Sequence, residues 1–189
     1  MTRVIGGSAG GRRLAVPPGD ATRPTSDRAR EGLFSTLVSL RRTLHGARVL
    51  DLFAGSGAVG LEALSRGAAH ALLVEADQGA AKTVRANMRA LALPGAELRT
   101  ARAERVAAEP ADGEPYDVVF LDPPYPLPDT DVAALLTSLR VGGWLADDAL
   151  VAVERATRGG PFGWPDGFTE LRSRRYGEAT LWYGRAARS

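Results

Sequence analysis

The stretch Asp51-Leu52-Phe53-Ala54-Gly55-Ser56-Gly57-Ala58-Val59-Gly60 constrains this chain more than any other. It leaves a short apolar run, Val49 to Phe53, and opens a helical one that ends near Gly67. A strand that turns through glycines directly into a helix begins a βαβ unit. The alternation then repeats. Ala71 to Glu75 reads as a strand and Asp77 as the cap of a helix running to about Leu93, with Ala81, Val84, Met88 and Leu91 on one face. Leu98 to Ala101 is a weak strand and Tyr116 to Leu121 a buried one. Val132, Leu135, Leu136 and Leu139 mark a helix that Gly142-Gly143 stops, and Leu150 to Val153 a further strand. Phe168 to Arg174 and Thr180 to Tyr183 flank a turn at Tyr176-Gly177-Glu178. The pattern predicts an α/β fold: a mostly parallel sheet covered on both faces, with an antiparallel hairpin at its C-terminal edge.

Ahead of this unit, Val4-Ile5 and Leu14-Ala15-Val16 are strand-like runs around Gly6, Gly7, Gly10 and Gly11, closed off by Pro17-Pro18-Gly19. Residues 1–20 are expected to form a flexible basic hairpin with too few apolar residues to bury much core, and residues 21–189 a single domain. That domain opens with a helix capped by Ser26 or Asp27, its apolar positions at Leu33, Phe34, Leu37 and Leu40. Charge divides along the same line. Residues 1–48 hold nine arginines against Asp20, Asp27 and Glu31, a net +6, while the rest of the chain is net −4. A basic arm on a mildly acidic body suits a polyanionic partner, and the bland alternative is a solvated basic segment.

Composition removes whole classes of chemistry. With 44% hydrophobic and 24% charged residues the chain is globular. No apolar run approaches the ~20 residues of a membrane span, and no secretory signal is visible at the N-terminus, so a soluble cytoplasmic protein without membrane contacts is expected. Cysteine is absent, which excludes thiolate nucleophiles and Cys-ligated metals. His45 and His70 are the only histidines, too few for a His-rich metal site; no metal is expected.

Gly55, Gly57 and Gly60 spell G-x-G-x-x-G, and Glu75 follows Gly55 by 20 residues at the end of the next strand. Taken alone this is the dinucleotide fingerprint, with Glu75 placed for ribose hydroxyls. Asp51 favours another ligand. Its carboxylate, at the strand's carboxyl end, repels a pyrophosphate and suits a ligand carrying an ammonium and a sulfonium, S-adenosylmethionine. A second constellation, Asp122-Pro123-Pro124-Tyr125, directly follows an apolar strand. The Asp122 carboxylate and the Pro123 carbonyl are adjacent acceptors that match the two N–H bonds of an exocyclic amine. The prolines lock those acceptors in place, and Tyr125 offers a face for an extruded base. Arg172, Arg174 and Arg175 on a late strand read as a solvated edge or as phosphate contacts.

Together, the loop at Asp51 to Gly57 and the tetrad resemble the class I amino-methyltransferases. Val4-Ile5-Gly6-Gly7, Arg12-Arg13-Leu14 and Arg23-Pro24-Thr25-Ser26-Asp27-Arg28 resemble one branch, the RsmD-type 16S ribosomal RNA guanine-N2 methyltransferases. The resemblance implies the seven-stranded methyltransferase fold, S-adenosylmethionine as cofactor, and RNA of the small ribosomal subunit, free or assembled, as the partner of a monomer. It carries the cofactor loop onto Asp51, Gly55 and Gly57, with Ala54 and Ser56 between them, and the ribose ligand onto Glu75. The tetrad carries over to Asp122, Pro123, Pro124 and Tyr125, and the segment closing over the methionine end to Thr25. The adenine contact falls at Ala103 and Glu104, in a weak strand end, with Glu104 where many relatives carry Asp. Arg3, Arg12, Arg13 and Arg23 are the expected RNA contacts. The alternative is a DNA adenine-N6 or cytosine-N4 amino-methyltransferase; against it, no segment is long enough for a target-recognition domain.

Overall fold

The computed structural model describes residues 2–19 and 25–189. Strands β1 (Thr2–Arg3) and β2 (Arg13–Leu14) pair antiparallel in the N-terminal arm, followed by α1 (Asp27–Arg41). Then come β3 (Arg48–Asp51), α2 (Ala58–Ser65), β4 (His70–Glu75), α3 (Gln78–Leu91), β5 (Ala96–Thr100), α4 (Ala103–Ala108), β6 (Tyr116–Leu121) and α5 (Asp129–Val141). The chain closes with β7 (Leu145–Ala156), β8 (Phe168–Tyr176) and β9 (Ala179–Ala186). The main sheet has the order β5-β4-β3-β6-β7-β9-β8, with β3 to β7 parallel and β9 antiparallel to both of its neighbours. The expected seven-stranded α/β sheet with its antiparallel edge hairpin is therefore present.

Strand parity splits the core in two, because successive side chains point to opposite faces. Val49, Leu73, Val118, Phe120 and Ala152 pack beneath α1, α2 and α3 with Leu33, Phe34, Leu61 and Val84. Leu50, Leu72, Val119, Leu121 and Val153 pack beneath α4 and α5 with Val106, Leu135, Leu136 and Leu139. Both faces being covered explains why these strands are apolar throughout rather than alternating.

Ser26, not Asp27, caps α1: its side chain accepts the Ala29 amide at 3.1 Å. Helix α4 was not expected; at six residues it is too short for helical periodicity to register, and it is held by burying Ala103, Val106 and Ala107. Strand β7 begins five residues before Leu150, because its polar start pairs with β6 across a register shift.

Contrary to the expectation of an arm with little to bury, Val4, Ala9 and Leu14 are buried and belong to the core under α2. The reason is polar as well as apolar. Glu62, fully buried on α2, accepts the amides of Ile5 at 2.8 Å and Gly6 at 2.9 Å, and pairs with Arg30 and Arg66 at 3.4 and 2.8 Å. Arg30, also fully buried, donates in turn to Asp27 and to the Arg3 carbonyl. Gly7 lies so close to α2 that a Cβ there would stand 1.9 Å from the Ser65 carbonyl oxygen.

Candidate active site

The strand order reverses at β3 and β6, which opens a crevice outside their carboxyl ends. Asp51 is the last residue of β3, and Asp122 follows the last residue of β6. Asp51 pairs in register with Phe120, so the two carboxylates sit on neighbouring strands and project toward the α1–α3 face. Gly57, with φ of +83°, caps α2 in the left-handed region that the turn requires. The loop folds back on its own carboxylates. Asp51 Oδ2 accepts the Gly60 amide at 3.1 Å, Glu75 Oε1 the Gly55 amide at 2.8 Å, and Glu75 Oε2 the Asp77 amide at 2.9 Å.

Asp51 is buried, and among the described residues its Oδ1 has no hydrogen-bond partner. Burial pushes its carboxyl up to about 7; the Gly60 amide opposes that push and Glu75 adds to it. Asp122 is raised well above the usual carboxylate range, first by burial, then by Glu154 and Asp51, with Thr25 and Arg155 pulling the other way. Asp51, Asp122 and Glu154 thus face one crevice, with Glu75 at its rim.

The tetrad is pinned from behind. Arg155 Nε donates to Asp129 Oδ1 at 2.8 Å, and its terminal nitrogens reach the carbonyls of Pro124 at 3.4 Å, Tyr125 at 3.4 Å and Leu127. Pro123 is buried, whereas Tyr125 is 41% exposed and presents its ring to solvent.

Asp51, Ala54, Gly55, Ser56, Gly57, Glu75 and the tetrad from Asp122 to Tyr125 lie around the carboxyl ends of β3, β4 and β6. Thr25 joins them, its hydroxyl donating to Glu154 Oε2 at 2.9 Å and lying 3.4 Å from Asp122 Oδ2. Ala103 and Glu104 are not at a strand end; they form the first turn of α4, where Ala103 packs into the core and Glu104 pairs with Arg102 at 3.7 Å. Arg3 pairs with Asp27 at 3.8 Å, Arg12 donates to the Ala90 carbonyl and Arg13 is exposed. Arg23 lies outside the described residues.

Sequence reasoning missed Glu154, Arg155 and Asn87. Val153-Glu154-Arg155 reads as the polar end of a strand, and only pairing beside β6 brings it to the tetrad. Asn87 sits on the helix carrying the predicted apolar stripe, and a polar residue on that buried side was the available signal.

The donor set fits S-adenosylmethionine. Among the described residues one oxygen of the buried Asp51 carboxyl has no partner and is open to an ammonium, and each Glu75 oxygen keeps a second lone pair for a hydroxyl. A pyrophosphate would meet three acids instead.

A parallel sheet reversing at β3 and β6, a glycine turn after the first of these strands and an acid after the second define a class I methyltransferase fold. Residues 2–185 match the family described as conserved hypothetical protein 95, and the chain belongs to it. It is 41% identical over 161 residues to the ribosomal RNA small subunit methyltransferase D of Escherichia coli K12, covering 84% of this chain and 76% of that one. Its namesake in Haemophilus influenzae is 34% identical over 177 residues, 93% of this chain and 89% of that one. The solved structure of the Escherichia coli protein yhhF superposes with a TM-score of 0.86 at 35% identity, covering 99% and 98% of the two chains.

Proposed function

We propose that this chain is an S-adenosylmethionine-dependent methyltransferase of ribosomal RNA, and that its acceptor is the exocyclic N2 amine of a guanine in the small-subunit RNA. The observation that carries the reading is the meeting of Asp51 and Asp122 at the switch point, with one Asp51 oxygen unpaired among the described residues. Ribosomal RNA as substrate is supported by the names of the relatives and by the basic arm. Guanine is supported by the resemblance of the arm and of the Arg23-to-Arg28 segment to the RsmD-type enzymes.

The cofactor supplies an electrophilic methyl group on a positively charged sulfur. The residues do the rest. Asp51 and Glu75 hold the cofactor by its ammonium and its ribose, Ala54, Gly55, Ser56 and Gly57 let it approach the backbone, and Ala103 and Glu104 at the start of α4 flank its adenine. Asp122 and the Pro123 carbonyl accept the two amine hydrogens, which directs the nitrogen lone pair at the methyl carbon. Tyr125 stacks the extruded base. Arg155 keeps the acceptors still, so their orientation costs little reorganisation during the reaction. Phosphate contacts are assigned to Arg3, Arg12 and Arg13 of the arm and, on the resemblance alone, to Arg23.

Labelled methyl transfer to purified small subunits, free RNA and DNA, followed by nucleoside identification, tests the reading. N2-methylguanosine from RNA is expected. Methyl on adenine N6 or cytosine N4 of DNA would replace both the substrate and the family's acceptor atom. Asp122→Ala should cost about a hundredfold in turnover, roughly 3 kcal/mol, with cofactor binding retained.

A further inference from the structure

At the carboxyl ends of β6 and β7 one hydroxyl stands between two acids, the buried Glu154 and the half-buried Asp122. Thr25 Oγ1 is 2.9 Å from Glu154 Oε2 and 3.4 Å from Asp122 Oδ2. Glu154 follows Val153, which pairs in register with Leu121, so it emerges beside the tetrad and on the same face of the sheet as Asp51. A hydroxyl carries one hydrogen. It donates to one carboxylate and can only accept from the other, so the arrangement closes when one of the two acids holds a proton. Both acids are pushed above the ordinary carboxylate range, mainly by burial. Facing them are Asp51, which adds repulsion, Tyr125, and Arg155, whose guanidinium is engaged with Asp129 and three carbonyls.

The reaction brings a positive charge into this crevice and then consumes it. A methyl carbon about 3–3.5 Å from an amine held by Asp122 puts its sulfonium next to the pair. We propose that Asp122, Thr25 and Glu154 form a proton-sharing triad that sheds its proton when a sulfonium enters the crevice and takes up the amine's proton once that charge is gone. This rests on the amino-methyltransferase reading above. The amine nitrogen bonds to the methyl carbon as the carbon–sulfur bond breaks, and that electron pair stays on sulfur. The nitrogen, now positive, passes one proton to Asp122. Asp122 hands it to Thr25 Oγ1 while the Thr25 hydrogen moves to Glu154. Asp122 ends as a carboxylate, Thr25 as a hydroxyl and Glu154 as an acid, so one carboxylate charge is neutralised as the sulfonium charge disappears. Asp122 is a catalytic residue here; Glu154 acts through Thr25.

Calorimetry in buffers of different ionisation enthalpy tests this on the whole chain, comparing S-adenosylmethionine with S-adenosylhomocysteine, which lacks only the methyl and the sulfonium charge. The wild type should release about one proton more with the former. Glu154→Gln should bind both ligands with that difference abolished, and methyl transfer should fall about a hundredfold. Thr25→Val should slow transfer and Thr25→Ser restore it. Equal proton release for the two ligands in the wild type overturns the triad, and that measurement needs no variant. A Glu154→Gln protein that keeps the wild-type difference overturns it too. A wild-type product methylated on carbon or ribose oxygen sinks the amine reading and the triad with it. An amine product with equal proton release sinks the triad alone.

Discussion

Asn87 and Ala15 exchange two hydrogen bonds: the Ala15 amide donates to Asn87 Oδ1 at 2.8 Å, and Asn87 Nδ2 donates to the Ala15 carbonyl at 2.9 Å. The second hydrogen of the same Nδ2 goes to the Ser56 carbonyl at 2.8 Å. One buried amide therefore ties the end of the N-terminal arm to the glycine turn.

Asn87→Ala leaves three backbone groups without partners and should cost about 2 kcal/mol of stability. Because Ser56 is freed as well, the affinity for S-adenosylhomocysteine should drop with it. Thermal melting and calorimetry measure the two effects; a destabilised protein with unchanged affinity would disconnect the arm from the turn.

Asp51 makes a pH prediction with an unusual sign. Its folded carboxyl titrates at about 7 against an ordinary 3.8, so the folded state binds the proton more tightly than the unfolded one. Between these values stability falls as pH rises, and above about 7 the full cost of the buried charge is present. Asp51→Asn should raise the melting temperature at pH 8 and give no gain at pH 4. Cofactor affinity runs the opposite way: it should weaken in the wild type as pH drops below about 7 and be largely lost in Asp51→Asn.

Arg155→Ala unpins the tetrad without touching the cofactor turn. Turnover should fall about tenfold while cofactor affinity stays within about twofold, because a misplaced acceptor costs rate rather than binding. Steady-state kinetics beside calorimetry separates the two, and an equal loss in both would assign Arg155 to general folding.

The arm's role in RNA binding is best tested by point changes. Deleting residues 2–18 takes the Ile5 and Gly6 amides from Glu62 and uncovers Val4 and Leu14, so it should lower the melting temperature whatever the arm does with RNA. Arg3→Ala with Arg13→Ala leaves those contacts in place. RNA affinity should fall, and the slope of log affinity against log salt should flatten by about one unit per lost phosphate contact. An unchanged slope would make both arginines bystanders.

Local pattern made much of the fold legible. Tyr116 to Leu121 is a strand with the bounds its apolar run announces, because a strand covered on both faces is apolar but for Asp117 near its start, and Asp122-Pro123-Pro124 ends it. The alternation of strands and helices reads through because α1, α3 and α5 each show an apolar stripe and the glycine turn announces α2, which is buried all round. Helix α4 did not, and neither did the arm's place: its few apolar residues are buried only because α2 supplies Glu62 and Ser65 to meet its backbone.

By itself, then, the sequence determined the architecture and the two motifs, since turn chemistry, apolar periodicity and a run of adjacent acceptors are all encoded within a few residues. What only the tertiary structure decided is which distant groups face one another. Glu154 meets Thr25 across 129 positions of chain, and Arg155 meets the tetrad across about thirty. The physical reason is that a side chain's protonation and its hydrogen-bond partners depend on what packs against it. Strand order and register set that packing, and no residue's neighbours in sequence carry it.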